Sequence, residues 1–402
     1  MKEIFTGNFT QQEPIPDEGI AAANEVMQHG RLHRYNTAPG EVAETVLLEQ
    51  EFAQTVGSKY CLAVASGGYA MTTALRACGV GHGDKVLTNA FTLAPVPGAI
   101  AAVGGVPVFV GVTEDLVIDL DDLAAKLGQA KVLLLSHMRG HICDMDHLMG
   151  LCNAAGVTVI EDCAHTMGAA WDGVPSGRWG KFGCYSTQTY KHINSGEGGF
   201  LISDDAESMA RAIMLSGSYM LFDKHAAAPA PEVFAQIKYE TPNISGRMDN
   251  LRAAILRPQL RDLTIQCKRW NDRYRVLDDL LANTPGLTLT RRPAKEQFVA
   301  SSFQFLLLDW GAEAVDAVIS CCAARGVELK WFGGAEPKGF TSRYDSWRYV
   351  TSEPMPASDR VLAGIVDMRL PLTFSLEDCA QIARIIRDEV SIVYQGMTSV
   401  AQ

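Results

Sequence analysis

The chain has 402 residues, with 35 Lys and Arg against 46 Asp and Glu and a formal net charge of −11 at pH 7. At roughly 100–200 residues per domain that length predicts two or three domains, and 47% apolar with 20% charged residues excludes a disordered or collagen-like chain. The acidic balance repels polyphosphate, so no nucleic-acid partner is expected.

Ten cysteines without a C-x-x-C pair, mostly inside apolar runs, predict a reducing, cytoplasmic setting. The start, Met1 to Gly7, has no leader pattern, and the absence of any run of 18 apolar residues predicts no membrane partner.

In chain order, residues 1–20 read as an extended arm, because Pro14 and Pro16 prevent a helix from starting before the second proline. From Lys59 to Asp204, β-rich runs alternate with helical patterns. The predicted strands are Tyr60–Ala65, Lys85–Thr88, Pro107–Val112, Val132–Ser136, Val157–Glu161, Phe182–Thr187 and Gly199–Ile202. Helices are predicted over Ala70–Cys78, Pro97–Val103, Leu120–Leu127 and Asp146–Ala155, which gives an α/β fold with a mostly parallel sheet covered on both faces. A polar stretch, Tyr219 to Gly246, precedes an apolar helical run at Met248–Leu263. The pattern then changes to helix (Trp270–Ala282), strand (Ser302–Leu308), helix (Ala312–Arg325), strand (Val327–Lys330), a Gly- and aromatic-rich loop, and a last helix (Leu376–Tyr394). The expected division is an arm at 1–20, a large domain at 21–262 and a small C-terminal domain at 263–402.

Three segments carry chemistry. Ser66-Gly67-Gly68-Tyr69-Ala70 follows a predicted strand and opens a helix. Glycines there serve a tight turn, or let backbone N–H groups cradle an anion at the helix N-terminus. Glu161 and Asp162 end a predicted buried strand on opposite faces. A carboxylate so placed caps, forms an ion pair, or pairs with a protonated ring nitrogen of a ligand. Lys191 stands past a β-rich run, among hydroxyl side chains and before Gly196-Glu197-Gly198-Gly199. Most lysines are solvated surface charges; one in this position is placed to be a desolvated amine nucleophile. His141, His147 and His192 have no metal-ligand pattern around them and read as structural, so no metal is expected.

Together these segments resemble the DegT/DnrJ/EryC1/StrS family of sugar aminotransferases. The match rests on the Ser-Gly turn, Ala90-Phe91-Thr92, His137 to Gly140 with Asp144-Met145-Asp146, Glu161-Asp162-Cys163-Ala164-His165, the Ser186 to Lys191 segment, and Arg247-Met248 before an Ala-rich helix. The resemblance implies pyridoxal 5'-phosphate (PLP) as cofactor and the fold type I architecture. It also implies a reaction moving an amino group from glutamate or glutamine to a keto or aldehyde carbon of a sugar or similar polyol. A non-sugar keto acid or aldehyde acceptor, a sugar dehydration on the same fold, and a non-catalytic scaffold are the competing readings. The family's dehydratases carry histidine in place of the lysine, and Lys191 is present.

By the same resemblance, Lys191 is the Schiff-base lysine and Asp162 the acid that keeps the pyridine nitrogen protonated. Ser66, Gly67, Gly68 and Ser186 contact phosphate, Gly68 standing where relatives commonly carry a hydroxyl. His165 faces the ring hydroxyl. Relatives stack an aromatic on the ring two residues after the position of Phe91, where this chain has Leu93, so Phe91 and Leu93 both remain candidates. An Asn before Arg-Met in relatives reaches across a homodimer to the partner's phosphate; here Ser245 holds that place and Asn243 precedes it by two. Arg139 replaces an aromatic of relatives. It either pairs with an internal acid or forks onto a carboxylate or phosphate of the substrate.

Overall fold

The computed structural model describes residues 2–400. Seven strands, β1 (Tyr60–Val64), β2 (Lys85–Asn89), β3 (Val106–Val110), β4 (Val132–Ser136), β5 (Thr158–Asp162), β6 (Phe182–Ser186) and β7 (Gly199–Ser203), form one sheet in the order β1-β7-β6-β5-β4-β2-β3. Pairing is parallel from β6 through β3, whereas β7 runs antiparallel to both β6 and β1. β1 therefore runs with the parallel set, and its carboxyl end lies on the same edge of the sheet as theirs.

Strand alternation sorts the core into two layers. Val132 and Leu134 pack with the helices Gly67–Ala77, Pro95–Ala102 and Ala206–Leu215, while Leu133 and Leu135 pack with Glu44–Val56 and Met145–Ala155. Burial on both faces explains why these strands read as continuous apolar runs.

The C-terminal part builds a second, antiparallel sheet in the order Thr288–Leu289, Ser302–Leu306, Ile365–Arg369, Lys330–Trp331. Its two faces differ sharply. Phe303, Phe305, Val366 and Met368 join an apolar core with the helices Leu263–Leu281, Ala312–Ala324 and Leu376–Val400. Alternation puts Gln304, Asp367 and Arg369 on the opposite face, where Asp367 stands in register with Lys330. Ile365–Arg369 falls in the stretch expected to be a loop, and the expected strand Val327–Lys330 pairs only at Lys330–Trp331. Charge at alternate positions hides a strand whose polar face is covered by another domain rather than by water.

The N-terminal arm ends at Pro16, and a helix runs from Asp17 to His29. The arm is docked rather than free. Phe5 donates its N–H to Arg325 O at 2.8 Å, and Phe5, Phe9 and Phe374 meet edge to face. Glu13 pairs with Arg269 at 2.6 Å, which brings Gln12 to the wall of the cleft beside Lys191. The Tyr219–Gly246 stretch contains a short helix, Phe234–Glu240, anchored by buried Phe234 and Ile237. No helix of the described residues is long and apolar enough to cross a membrane.

Candidate active site

The carboxyl ends of β1, β4, β5 and β6 deliver Ser66, Ser136, Asp162 and Ser186 to one edge of the sheet, where ligands of such sheets collect. Register explains the first convergence. Val64 of β1 and Ser186 of β6 both lie opposite Gly199 at the start of β7. A Cβ at Gly199 would come within 2.5 Å of Tyr185 O and 2.7 Å of Gly67 N, so only glycine lets the turn after β1 approach β6. Ser66 caps the helix Gly67–Ala77 by accepting from Tyr69 N–H at 3.1 Å. Gly67 and Gly68 occupy the first turn, where N–H groups have no intrahelical acceptor. A Cβ at Gly67 would lie 2.9 Å from the Ser186 Cβ, which measures how closely the turn abuts that hydroxyl. Two first-turn N–H groups, a helix N-terminus and a serine hydroxyl thus form a cup suited to a phosphate dianion.

Glu161 and Asp162 do point to opposite faces. Glu161 is saturated: it accepts from Gly177, Trp179 and Gly180 N–H at 2.9, 2.8 and 2.7 Å and meets His137 Nε2 at 3.0 Å. His137, Glu161 and Cys163 lie close enough to hold a metal, but the carboxylate is consumed by that loop. Asp162 is 6% exposed, receives one hydrogen bond per oxygen, from Ser136 Oγ at 2.9 Å and Ala164 N–H at 3.1 Å, and burial pushes its pKa up. A buried carboxylate with spare lone pairs and a raised pKa is a site that lacks its cationic partner.

Lys191 Nζ lies 3.0 Å from His165 Nε2. Burial, with the cations Arg139 and Arg369 nearby, lowers the Lys191 pKa to about 7 against the pull of Asp162. Near neutral pH a large share of this amine is free to act as a nucleophile. Burial and the same lysine keep His165 neutral.

The remaining candidates separate. β2 ends at Asn89, so Phe91 and Leu93 do not share a strand face. Phe91 is 1% exposed and packs edge-on against Phe332 at 5.1 Å, away from the cleft, whereas Leu93 lines the cleft with Lys191 and His165. The Asn243 side chain accepts from Tyr219 N–H of its own chain at 2.8 Å, which holds Tyr219 at φ +54°. Arg139, itself at φ +55°, pairs with buried Asp367 at 2.8 Å; the contact is close but poorly aligned for a hydrogen bond and leaves Nε free. Its charge is thus met by an internal acid of the small sheet, in the first of the two roles expected for it.

Sequence reasoning missed Ser136, Tyr190 and Arg369. Tyr190 adjoins the lysine, and Arg369 lies over its ring at 3.5 Å. The alternation Ile365-Val366-Asp367-Met368-Arg369 was the available signal for a strand carrying two charges on one face.

The sheet order and the cup beside a low-pKa lysine define the class, an α/β protein of PLP fold type I. The chain belongs to the DegT/DnrJ/EryC1/StrS aminotransferase family, whose model matches residues 15–387, and whose cofactor is PLP. It is 31% identical over 274 residues to an L-glutamine:2-deoxy-scyllo-inosose aminotransferase of Streptomyces lividus, covering 67% of this chain and 64% of that protein. It is 28% identical over 284 residues to an L-glutamine:scyllo-inosose aminotransferase of Streptomyces griseus, covering 68% and 64%. The matched region therefore spans slightly less than two thirds of these relatives. The crystal structure of the aminotransferase TlmJ from Streptoalloteichus hindustanus superposes with a TM-score of 0.81 at 23% identity, over 98% of this chain and all of that one. That likeness concerns the fold.

Proposed function

We propose that the chain is a PLP-dependent aminotransferase that moves an amino group from glutamine or glutamate to the carbonyl carbon of a cyclitol or sugar-like polyol. The observation that carries this reading is the buried lysine, its pKa lowered to about 7, at the edge of the sheet that bears both the phosphate cup and the unpartnered Asp162. The donor and the polyol acceptor are supported by the activities named for the two Streptomyces relatives.

Bound there, the cofactor supplies a ring that accepts an electron pair from the reacting carbon. The chain's own groups do the rest. Lys191 would hold the cofactor through its free amine and, when not so engaged, would carry a proton to and from the substrate's reacting carbon. Asp162, oriented by Ser136, holds a proton on the ring nitrogen. Ser66, Gly67, Gly68 and Ser186 would fix the phosphate, Leu93 would cover the ring, and His165, kept neutral, would serve the ring hydroxyl.

The proposed active unit is a cytoplasmic homodimer with a two-fold interface. Exposed Tyr219, Met220 and Ile244 support it, because they form an apolar surface on the loop that packs against Tyr69 beside the cup. On this reading Asn243, whose Oδ1 accepts from Tyr219 N–H of the same loop, serves the partner's phosphate through its amide N–H groups.

The test is amine formation. Purified protein with PLP is offered L-glutamine or L-glutamate with scyllo-inosose, and separately with keto sugars, keto acids and aldehydes. An aminated polyol with matching 2-oxo acid supports the proposal; no 2-oxo acid from any amino donor overturns it. Light scattering showing a fully active monomer would refute the shared site.

A further inference from the structure

Lys191 lies between two hollows. It lines the cleft shared with Leu93 and His165, and it also lines a second cavity of about 80 Å³, walled by the docked arm and by Trp270. The arm is held there by the pair of Glu13 with Arg269, and Trp270 by its Nε1–H, which donates to Leu370 O at 3.1 Å. Exposed Asp262 marks the outer end of the cavity. A hollow of this size has room for two or more waters, and water stays in a buried cavity where polar groups receive it.

His192 supplies such groups. It is 5% exposed and packs edge to face against Trp270 at 5.1 Å, yet neither of its ring nitrogens has a hydrogen-bond partner in the chain. A neutral imidazole carries one donor and one acceptor, and leaving both buried and unpaired is costly. Burial, with the Lys191 charge close by, pushes the His192 pKa down to about 3, so the ring stays neutral near pH 7 and does not itself shuttle a proton. Asn194 adds a second contact. Its Oδ1 accepts from Gly196 N–H at 2.9 Å, which leaves its amide N–H groups for the cavity that it lines.

We propose that this cavity is the solvent port of Lys191, a short chain of waters anchored on His192 that exchanges the lysine's protons with bulk water during amino transfer. This rests on the aminotransferase reading of the same lysine. An amine that has taken the proton of the reacting carbon is an ammonium with three equivalent protons. Bound substrate covers the cleft side of that group, and the second cavity offers the other route. The exchange balances without a further reactant: the ammonium gives one proton to the first water, receives a different one back along the chain, and no net charge moves. His192 is a positioning residue, because it orders the water and touches neither substrate nor cofactor.

The test follows the transferred hydrogen. PLP-loaded protein is mixed for a single turnover with L-glutamine or L-glutamate carrying deuterium on the α-carbon. Mass spectrometry of the extracted cofactor then reads how much label was passed on rather than lost to water. Wild type should lose most of it. His192→Phe keeps an edge for Trp270 but offers the water nothing, so retained label should rise at least about fivefold, the scale that one lost hydrogen bond sets on a rate. His192→Gln restores a donor and an acceptor and should fall back towards wild type. PLP content and near-ultraviolet dichroism should match wild type in both variants. A purely structural histidine would change stability and leave label retention where it was. Wild type that passes its label on intact, or equal retention in wild type and His192→Phe, overturns the proposal. A high-resolution crystal structure of the wild type gives a readout that no variant's folding can obscure: waters bonded to both His192 nitrogens and continuing to Lys191 support the port, and a dry cavity overturns it. Failure of both donors to yield a 2-oxo acid would refute the aminotransferase reading instead, and the waters would then decide the cavity alone.

Discussion

Replacing Arg139 by Met leaves the Asp367 carboxylate in the interior with Gln304 as its hydrogen-bond partner and without its ion-pair partner. Removing one member of a buried pair costs about 3–5 kcal/mol, because the other charge stays desolvated. Relief of strain does not offset it: Arg139 sits at φ +55°, and Met is no better suited to that conformation than Arg. Replacing both partners, Arg139→Met with Asp367→Leu, removes both charges and should recover most of the loss, so the cycle should show a coupling of at least about 2 kcal/mol. A second readout follows from the lysine. Arg139 is one of the cations holding the Lys191 amine down at about 7, so Arg139→Met should move that pKa upward. A given free-amine fraction is then reached only at a higher pH, and the pH profile of PLP capture should shift in the alkaline direction. The assays are thermal unfolding of the two single variants and the double variant, and PLP absorbance against pH. An Arg139→Met protein with unchanged melting temperature and a raised Michaelis constant for the acidic substrate would refute the pairing and make Arg139 the substrate's fork.

Three other variants probe the cofactor site. Gly67→Ala places a methyl 2.9 Å from the Ser186 Cβ and should weaken PLP retention by tenfold or more in equilibrium dialysis. Gly68→Ser meets only Ser66 Oγ at 3.8 Å and restores a hydroxyl to the cup, so PLP should bind about 2–10-fold tighter in the same assay. Asp162→Asn removes a buried charge that nothing in the chain neutralises at close range. The cofactor-free protein should therefore keep or raise its melting temperature while turnover falls by orders of magnitude, and a loss of stability with normal turnover would make Asp162 structural.

Much of the large domain is legible because its signals are local. β4 is a run of four apolar residues ending in Ser136, found at the expected bounds, and the Ser-Gly turn announces a strand-to-helix transition by composition alone. Lys191 and Asp162 were marked by their place just past or at the end of buried strands. What escaped depends on long-range packing. Asp367 and Arg369 read as loop residues because burial of a polar strand face requires a partner domain that no local window contains. Phe91 stayed a ring-stacking candidate beside Leu93 because no local signal shows that the strand ends at Asn89 and that Phe332, far along the chain, packs against the Phe91 ring. The docked arm was equally hidden, since the Phe5, Phe9 and Phe374 contacts join opposite ends of the chain.

The most direct test of the account is where PLP attaches. Protein reconstituted with PLP, reduced with borohydride and digested should carry the pyridoxyl group on Lys191, and Lys191→Ala should fold normally, carry no label and transfer no amino group. Label on another lysine, or amino transfer by Lys191→Ala, would contradict it.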